Sequence, residues 1–364
     1  MPIATSSVVS SLLLAIWICS VLLLRRGGGE ATEEEEDVDD EILGPPEGPS
    51  LRIVGVPDAH GDPQALTEAL RLAGVLVPRN ATSAADGGAH VISLGDSVDR
   101  GPDAQGCYKV LEDINATRLL GNHEWINLMG VDEEDDPSTL NREDLFKDYV
   151  TKDDLSMFGG WAKRRHAFSR HGKLGRSIRR NFELMAMLPS RWARADKLPP
   201  KHAAATLFMH AGITFRLASK YGSVATMAST GRQHLQRSLR GDDAGFMSDL
   251  FREVLQDRHL TGYGVCRELR KTLKLLGAAR LVLGHTPQES RRAEVKCDGR
   301  LIFLDVAMSR WLMDIDNPEP TPHPVALELV YSGATGEEML SSMKLLYPDR
   351  AVNVAPFVGN SREL

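Results

Sequence analysis

"TRLLGNHEWINLMG" (residues 117–130) is the stretch from which the rest of the chain can be read. A short apolar run through Leu119 and Leu120 halts at Gly121. An amide, an imidazole and a carboxylate then follow without a break: Asn122, His123 and Glu124. A run of this length and composition reads as a buried strand, and the glycine as the start of a loop. The same pattern returns on both sides. "LRIVGV" (51–56) precedes Asp58 and His60, and "HVISLG" (90–95) precedes Asp96. Further on, "ATLFM" (205–209) precedes His210, and "ARLVLG" (279–284) precedes His285.

Between the first three of these runs lie "DPQALTEALRLAG" (62–74) and "DAQGCYKVLEDI" (103–114), both with apolar residues at helical spacing. Strand–helix alternation predicts an α/β core, and in such sheets the reactive groups gather at the carboxyl ends of strands. "RLIFLDVA" (300–307) and "VALELVYS" (325–332) read as further strands. Residues 131–205 differ: Leu140, Leu145, Phe146 and Tyr149 fall at helical spacing, and a basic stretch, "KRRHAFSRHGKLGRSIRR" (163–180), follows. This predicts a helical insertion over the site. Its basic residues either bind an acidic substrate or form a solvated helix face.

The composition, 42% hydrophobic and 26% charged, is that of a globular protein. The net charge of −7 is concentrated at one end: residues 1–50 hold ten acidic groups against Arg25 and Arg26, which leaves the remainder near +1. A body so weakly charged gives no reason to expect nucleic acid as a partner. Cys19, Cys107, Cys266 and Cys297 are too few and too scattered for a disulfide framework, so a reduced or redox-indifferent compartment is expected.

From Ile3 to Leu24 no residue is charged, and "SLLLAIWICSVLLL" is dense enough to occupy a bilayer as a helix. The positive charges, Arg25 and Arg26, come after the apolar core, which favours an uncleaved single-pass anchor (1–26) over a cleaved signal peptide. The positive-inside rule then puts the following domain in the cytosol. The alternative is the secretory-pathway lumen or an organelle after cleavage. In that setting the sequons at Asn80 and Asn115 would matter. Residues 27–50, rich in Gly, Glu and Pro, read as a solvated linker.

Taken singly, each strand-end cluster reads as a turn or helix cap. Together they form a mixed oxygen/nitrogen donor set without thiolate, suited to divalent Mn, Fe or Zn. A central carboxylate could bridge two such ions. The spacing is D-x-H at Asp58–His60, then G-D-x-x-D-R-G at Gly95–Gly101, then G-N-H-E at Gly121–Glu124. With "MHAG" and "LGHT" downstream, residues 51–312 resemble the metallophosphoesterases, specifically the PPP family of protein phosphatases and its Shewanella-like, bacterial-type branch.

The resemblance implies a β-sandwich core flanked by helices (α/β/β/α), with a catalytic domain over 51–335 and a tail over 336–364. It implies that Asp58, His60 and Asp96 hold one metal ion, and that Asp96, Asn122, His210 and His285 hold a second. A hydroxide bridging the two ions would attack phosphorus directly. His123 would act as general acid, oriented by Asp99, and Arg100, with Asn122, would grip the phosphate. A phosphoprotein, at Ser/Thr or Tyr, is the implied substrate. Polyphosphate or a nucleotide on the same site is the alternative, as is a degenerate phosphatase serving as a scaffold. Glu124 is expected to hold its loop rather than react. Two positions depart from the family pattern. Pro57 stands where Gly is usual, and Thr261, in "RHLTGY" (258–263), stands where a second phosphate-gripping arginine is usual, with Arg258 three residues away.

Overall fold

A computed structural model describes residues 51–76, 88–129, 149–189, 205–332 and 339–354. The expected anchor (1–26), the linker (27–50), Asn80 and residues 131–148 of the insertion lie outside the described residues. Among the described residues no helix is long and apolar enough to cross a membrane.

The strands form two sheets. Leu51–Val56 (β1), His90–Ser93 (β2), Thr117–Leu119 (β3) and Phe182–Glu183 (β4) lie parallel in a seven-stranded sheet. Met185–Leu188 (β5), Thr206–Met209 (β6), Arg280–Leu283 (β7), Glu294–Lys296 (β8) and Leu301–Phe303 (β9) form a second sheet, in the order β5-β6-β7-β9-β8. Ala326–Ser332 (β10), Met339–Leu346 (β11) and Ala351–Asn353 (β12) complete the first, giving β12-β11-β10-β1-β2-β3-β4.

Alternation along the strands explains the layering. Phe208, Val282 and Ile302 pack into the cluster that holds Ile53, Val56 and Leu327 of the first sheet. Their neighbours Leu207, Met209, Leu281, Leu283, Leu301 and Phe303 point the other way, into a second cluster. Successive strand residues face opposite sides of a sheet, so each of these strands is apolar on both faces. The sheets touch closely: a Cβ added to Gly55 of β1 would lie 3.7 Å from Phe208 and 3.6 Å from Leu304. Fully burying a side chain such as Phe208 contributes about 1.5–3 kcal/mol.

Helices cover the outer faces. Pro63–Leu72 (α1) and Ala104–Asp113 (α2) supply Leu66, Leu70, Cys107 and Leu111 to the first cluster. Each begins where the sequence dictates, with Asp62 accepting from Ala65 N (3.1 Å) and Asp103 from Gly106 N (2.7 Å). After Asn122–Met129 (α3), the insertion contributes Lys152–Phe158 (α4), Trp161–Phe168 (α5) and Lys173–Asn181 (α6). Phe215–Tyr221 (α7), Val224–Ser238 (α8), Asp249–Gln256 (α9) and Val265–Leu276 (α10) pack on the second sheet through Leu217, Leu235, Leu250 and Leu269.

The structure departs from the sequence reading at several points. Within residues 131–205, read as mainly helical, Phe182–Leu188 supplies an edge strand to each sheet. The boundary at 335 cuts through a β-hairpin, since β11 pairs antiparallel with β10. That strand is hard to see in sequence because only Met343 and Leu345 of it are buried. Cys266 and Cys297 form a disulfide across a sequence separation of 31, a proximity that spacing along the chain does not reveal.

The basic stretch fits neither reading alone. Lys163, Arg165, Lys173, Arg176 and Arg180 are exposed, whereas Arg164 and Arg179 are buried. Arg179 donates to Ser238 Oγ (2.8 Å), Phe168 O (3.0 Å) and Leu128 O (3.3 Å), and so ties α6 to α8 and to the end of α3.

Candidate metal centre

The strand ends converge on Asp96 Oδ2. His210 Nε2 lies 3.4 Å from it, His60 Nε2 3.8 Å and His123 Nε2 4.0 Å. Asn122 Oδ1 lies 2.9 Å from His210 Nε2 and 2.8 Å from His285 Nδ1. Donor atoms close enough to share an ion form two triplets, His60–Asp96–His123 and Asp96–His210–His285, with Asp96 common to both. Asp58 stands outside both triplets, and its Oδ2 accepts from His285 N at 2.8 Å.

The histidine rings are oriented from behind. His60 Nδ1 faces Val98 O (3.2 Å), His210 Nδ1 faces Leu94 O (2.8 Å), and His285 Nε2 faces Gln256 O (3.3 Å). A carbonyl only accepts, so in each ring the outward nitrogen carries the hydrogen. In His60 and His285 the other nitrogen presents a lone pair to the centre, an arrangement typical of metal ligands; in His210 it would do so once it gives up its proton.

The loops accept backbone strain to achieve this. His60, Asp96, Asp99, Arg100 and His285 all have positive φ, between 41° and 67°, a conformation that clusters at functional sites. Close approach also fixes Gly121, where a Cβ would sit 2.1 Å from Asp96 Oδ1.

A second set adjoins the first. His123 Nδ1 is 2.7 Å from Asp99 Oδ2, with both side chains buried. Arg100 donates from Nη1 to Leu312 O (2.9 Å), and its guanidinium lies over the Tyr149 ring. Its buried Nε has no hydrogen-bond partner among the described residues. Arg258 Nη2 reaches the backbone oxygen of His285 at 3.2 Å, while Thr261 is exposed.

The model of the calcineurin-like phosphoesterase family matches residues 51–289, about two thirds of the chain. The chain belongs to that family. It is therefore a metal-dependent phosphoesterase.

Among relatives, a Schizosaccharomyces pombe protein known as uncharacterized protein C1840.07c is 25% identical over 274 residues, covering 70% of this chain and 73% of that protein. Two solved structures share the fold. A cold-active protein tyrosine phosphatase matches with a TM-score of 0.54 at 17% identity, covering 83% of this chain and 78% of that one. The cold-active protein-tyrosine phosphatase of a psychrophilic Shewanella species matches with a TM-score of 0.50 at 16% identity, covering 84% and 80%.

The residues of this phosphoesterase fit divalent ions. Asp58 Oδ1 is buried without a hydrogen-bond partner among the described residues, and a Cβ on Gly284 would lie 2.2 Å from it, so the carboxylate is held close against backbone. Burial and the neighbouring His123 push His60 down to about 3, and burial with His210 does the same to His285, so both are neutral and ligand-ready near pH 7. Burial works against a charged His210, but Asp96 and Asp58 outweigh it and raise His210 to about 9. Burial would also raise Asp96, yet His210 and His123 hold its carboxyl well below the usual range. For His123 burial is again opposed, by Asp96 and Asp99, and its affinity for a proton is raised.

Glu124 holds its loop, as expected. It accepts from Asp96 N (2.9 Å), Ser97 N (2.8 Å), Gly121 N (3.0 Å) and Tyr108 Oη (3.1 Å), and so clamps two strand-end loops together. Asp305, at the end of β9, is a further buried carboxylate. Its charge acts on Asp58, its Oδ1 accepts from Ala307 N (2.9 Å), and its Oδ2 is unpaired among the described residues. Sequence reasoning missed it, although "LIFLD" carries the same signal, an apolar run ending in a polar group.

Proposed function

We propose that this phosphoesterase is a phosphoprotein phosphatase, with His123 as the proton donor to the leaving group. The contact that carries this reading is His123 Nδ1 to Asp99 Oδ2 at 2.7 Å, because it leaves Nε2 turned toward Asp96 at the centre. Asp58, His60 and Asp96 would hold one divalent ion, and Asp96, Asn122, His210 and His285 a second. Divalent ions such as Mn, Fe or Zn held by these residues would supply a water of lowered pKa as nucleophile at neutral pH and Lewis-acid polarisation of the phosphoryl group.

The chain's own residues do the rest. Arg100 offers a planar fork to two phosphate oxygens, with its ring partner Tyr149 steadying it. Asn122, between His210 and His285, adds a neutral oxygen without excess negative charge against the phosphate. Asp99 keeps His123 protonated and aimed, so that Nε2 can pass its proton to the departing alkoxide or phenoxide, a step worth about 10²–10⁴-fold. Arg258 is placed to stand in for the second arginine. Phosphotyrosine is the first substrate to test, since two proteins sharing the fold are named tyrosine phosphatases; phosphoserine and phosphothreonine are the second.

The Cys266–Cys297 bridge favours the alternative placement, in the secretory-pathway lumen or an organelle after cleavage of residues 1–26, over an anchored cytosolic domain.

The test is Asp96→Asn in purified protein. Loss of metal and of phosphopeptide turnover should exceed the roughly 10–100-fold that removal of an outer-shell partner costs, with circular dichroism unchanged. Full turnover in this variant ends the reading. Polyphosphate hydrolysis that outpaces phosphopeptide hydrolysis would replace the substrate while keeping the centre.

A further inference from the structure

Arg164, on helix α5 of the insertion, reaches the catalytic dyad with all three guanidinium nitrogens engaged. Nη2 donates to Asp99 Oδ1 at 2.5 Å, Nη1 to Asn127 Oδ1 at 2.7 Å, and Nε to Asp154 Oδ2 at 2.7 Å. Asn127, one turn beyond His123 on α3, completes the frame. Its Nδ2 donates to Asp99 Oδ2 (3.0 Å) and to the backbone oxygen of His123 (2.8 Å). Arg164, Asp99, Asp154 and Asn127 are all buried, and the Arg164 guanidinium lies over the rings of Phe158 and Phe168.

The geometry constrains the carboxylate on both sides. Asp99 offers Oδ2 to His123, and its rotation about the Cβ–Cγ bond would misdirect that contact. Arg164 holds the opposite oxygen, Oδ1, and Asn127 Nδ2 straddles both oxygens (3.2 Å to Oδ1, 3.0 Å to Oδ2), so the rotation is blocked. A fixed fork can serve Asp99, Asn127 and Asp154 at once; an ammonium is a point donor and cannot.

We infer that Arg164 is a positioning residue for proton delivery: it locks Asp99, and through Asp99 the ring of His123. The insertion is then part of the catalytic apparatus and not only a basic outer surface. This rests on the reading of His123 as the proton donor.

Arg164→Lys keeps the buried charge while breaking the fork. Two measurements decide the inference. The first is manganese-supported turnover of an alkyl phosphate (a phosphoserine peptide) against 2,4-dinitrophenyl phosphate, whose leaving group needs no proton. Arg164→Lys should lose at least about 10-fold in kcat on the alkyl ester, a share of the about 10²–10⁴-fold a general acid supplies. On the aryl ester, kcat and both KM values should stay within about twofold, since that reaction does not draw on the acid. The second is proton NMR of the metal-free protein. The downfield His123 Nδ1–H signal, identified by its absence in His123→Asn, should broaden or vanish in Arg164→Lys.

Equal losses on both esters, or an unchanged NMR signal, overturn the inference while the phosphatase reading stands. If His123→Asn itself fails to show selectivity for the alkyl ester, or wild type hydrolyses neither ester, the reading fails and takes the inference with it. Asp154→Ala leaves Asp99 untouched and removes the acceptor of Nε; it serves both measurements should Arg164→Lys not fold.

Discussion

His210 Nε2 and Asp96 Oδ2 face one another at 3.4 Å, both buried, and the charges of Asp96 and Asp58 raise His210 to about 9, so that it carries a second proton at pH 7. Metal binding must therefore displace that proton. At pH 7 a manganese titration should release protons, and the release should fade as the pH rises through about 9, where His210 is already neutral. The buffer dependence of the calorimetric enthalpy measures this. The sign for stability follows. The folded value of about 9 lies above the ordinary 6.5, so the metal-free protein holds this stabilisation below pH 6.5 and loses it as pH rises through 9. A His210→Gln protein should lack that alkaline decline, and an identical decline in both would refute the assignment.

Glu124 accepts three backbone N–H groups and one hydroxyl. Glu124→Gln replaces an acceptor oxygen with a donor facing other donors, and each unmet buried group costs about 1–3 kcal/mol. Urea unfolding should show a loss in that range or above. Tyr108→Phe, which removes only the hydroxyl, should cost about 1 kcal/mol. Equal stability of Glu124→Gln and wild type would show that the clamp contributes nothing.

Gly121→Ala tests how tightly the two loops are packed. Its Cβ would sit 2.1 Å from Asp96 Oδ1 and 2.3 Å from Asp96 N, neither of which can yield without moving the carboxylate. Overpacking of this kind typically costs about 1–3 kcal/mol. Manganese retention after gel filtration should drop with it. A variant that keeps both its melting temperature and its metal would mean the loops give way easily.

The disulfide between Cys266 and Cys297 anchors the start of α10 to the turn after β8. Its removal should cost about 2–4 kcal/mol. Dithiothreitol should lower the melting temperature of wild type and leave Cys297→Ser unaffected. A wild type indifferent to reductant counts against a closed bridge in solution.

The sequence announced the strand ends because each combines a strong signal with its opposite: an apolar run cut off by a polar group, as at Met209–His210. Both helices between the early strands are legible from their apolar residues at helical spacing, and the structure adds Asp62 and Asp103 as their caps. What escaped depends on distance along the chain. Arg164 meets Asp99 across 65 residues, and no local pattern separates it from its exposed neighbour Arg165. The motif sets Asp58 beside His60, and among the described residues the donor atoms gathered near His60 are those of Asp96 and His123. Asp305 carries the same local signal, an apolar run ending in a carboxylate, and nothing near it in the sequence marks it as part of a motif.

Strands β6, β7 and β9 lie side by side in register, with Met209 beside Leu283 and Leu283 beside Phe303. His210, His285 and Asp305 follow within two residues of those ends. The grease and the chemistry thus share one phase. Slipping any of these strands by a single residue would turn Phe208, Val282 or Ile302 away from the opposing sheet and swing a centre residue to the wrong side of the barrel of loops. A one-residue insertion in any of these three strands should therefore cost both folding and metal retention even where no reacting atom is touched.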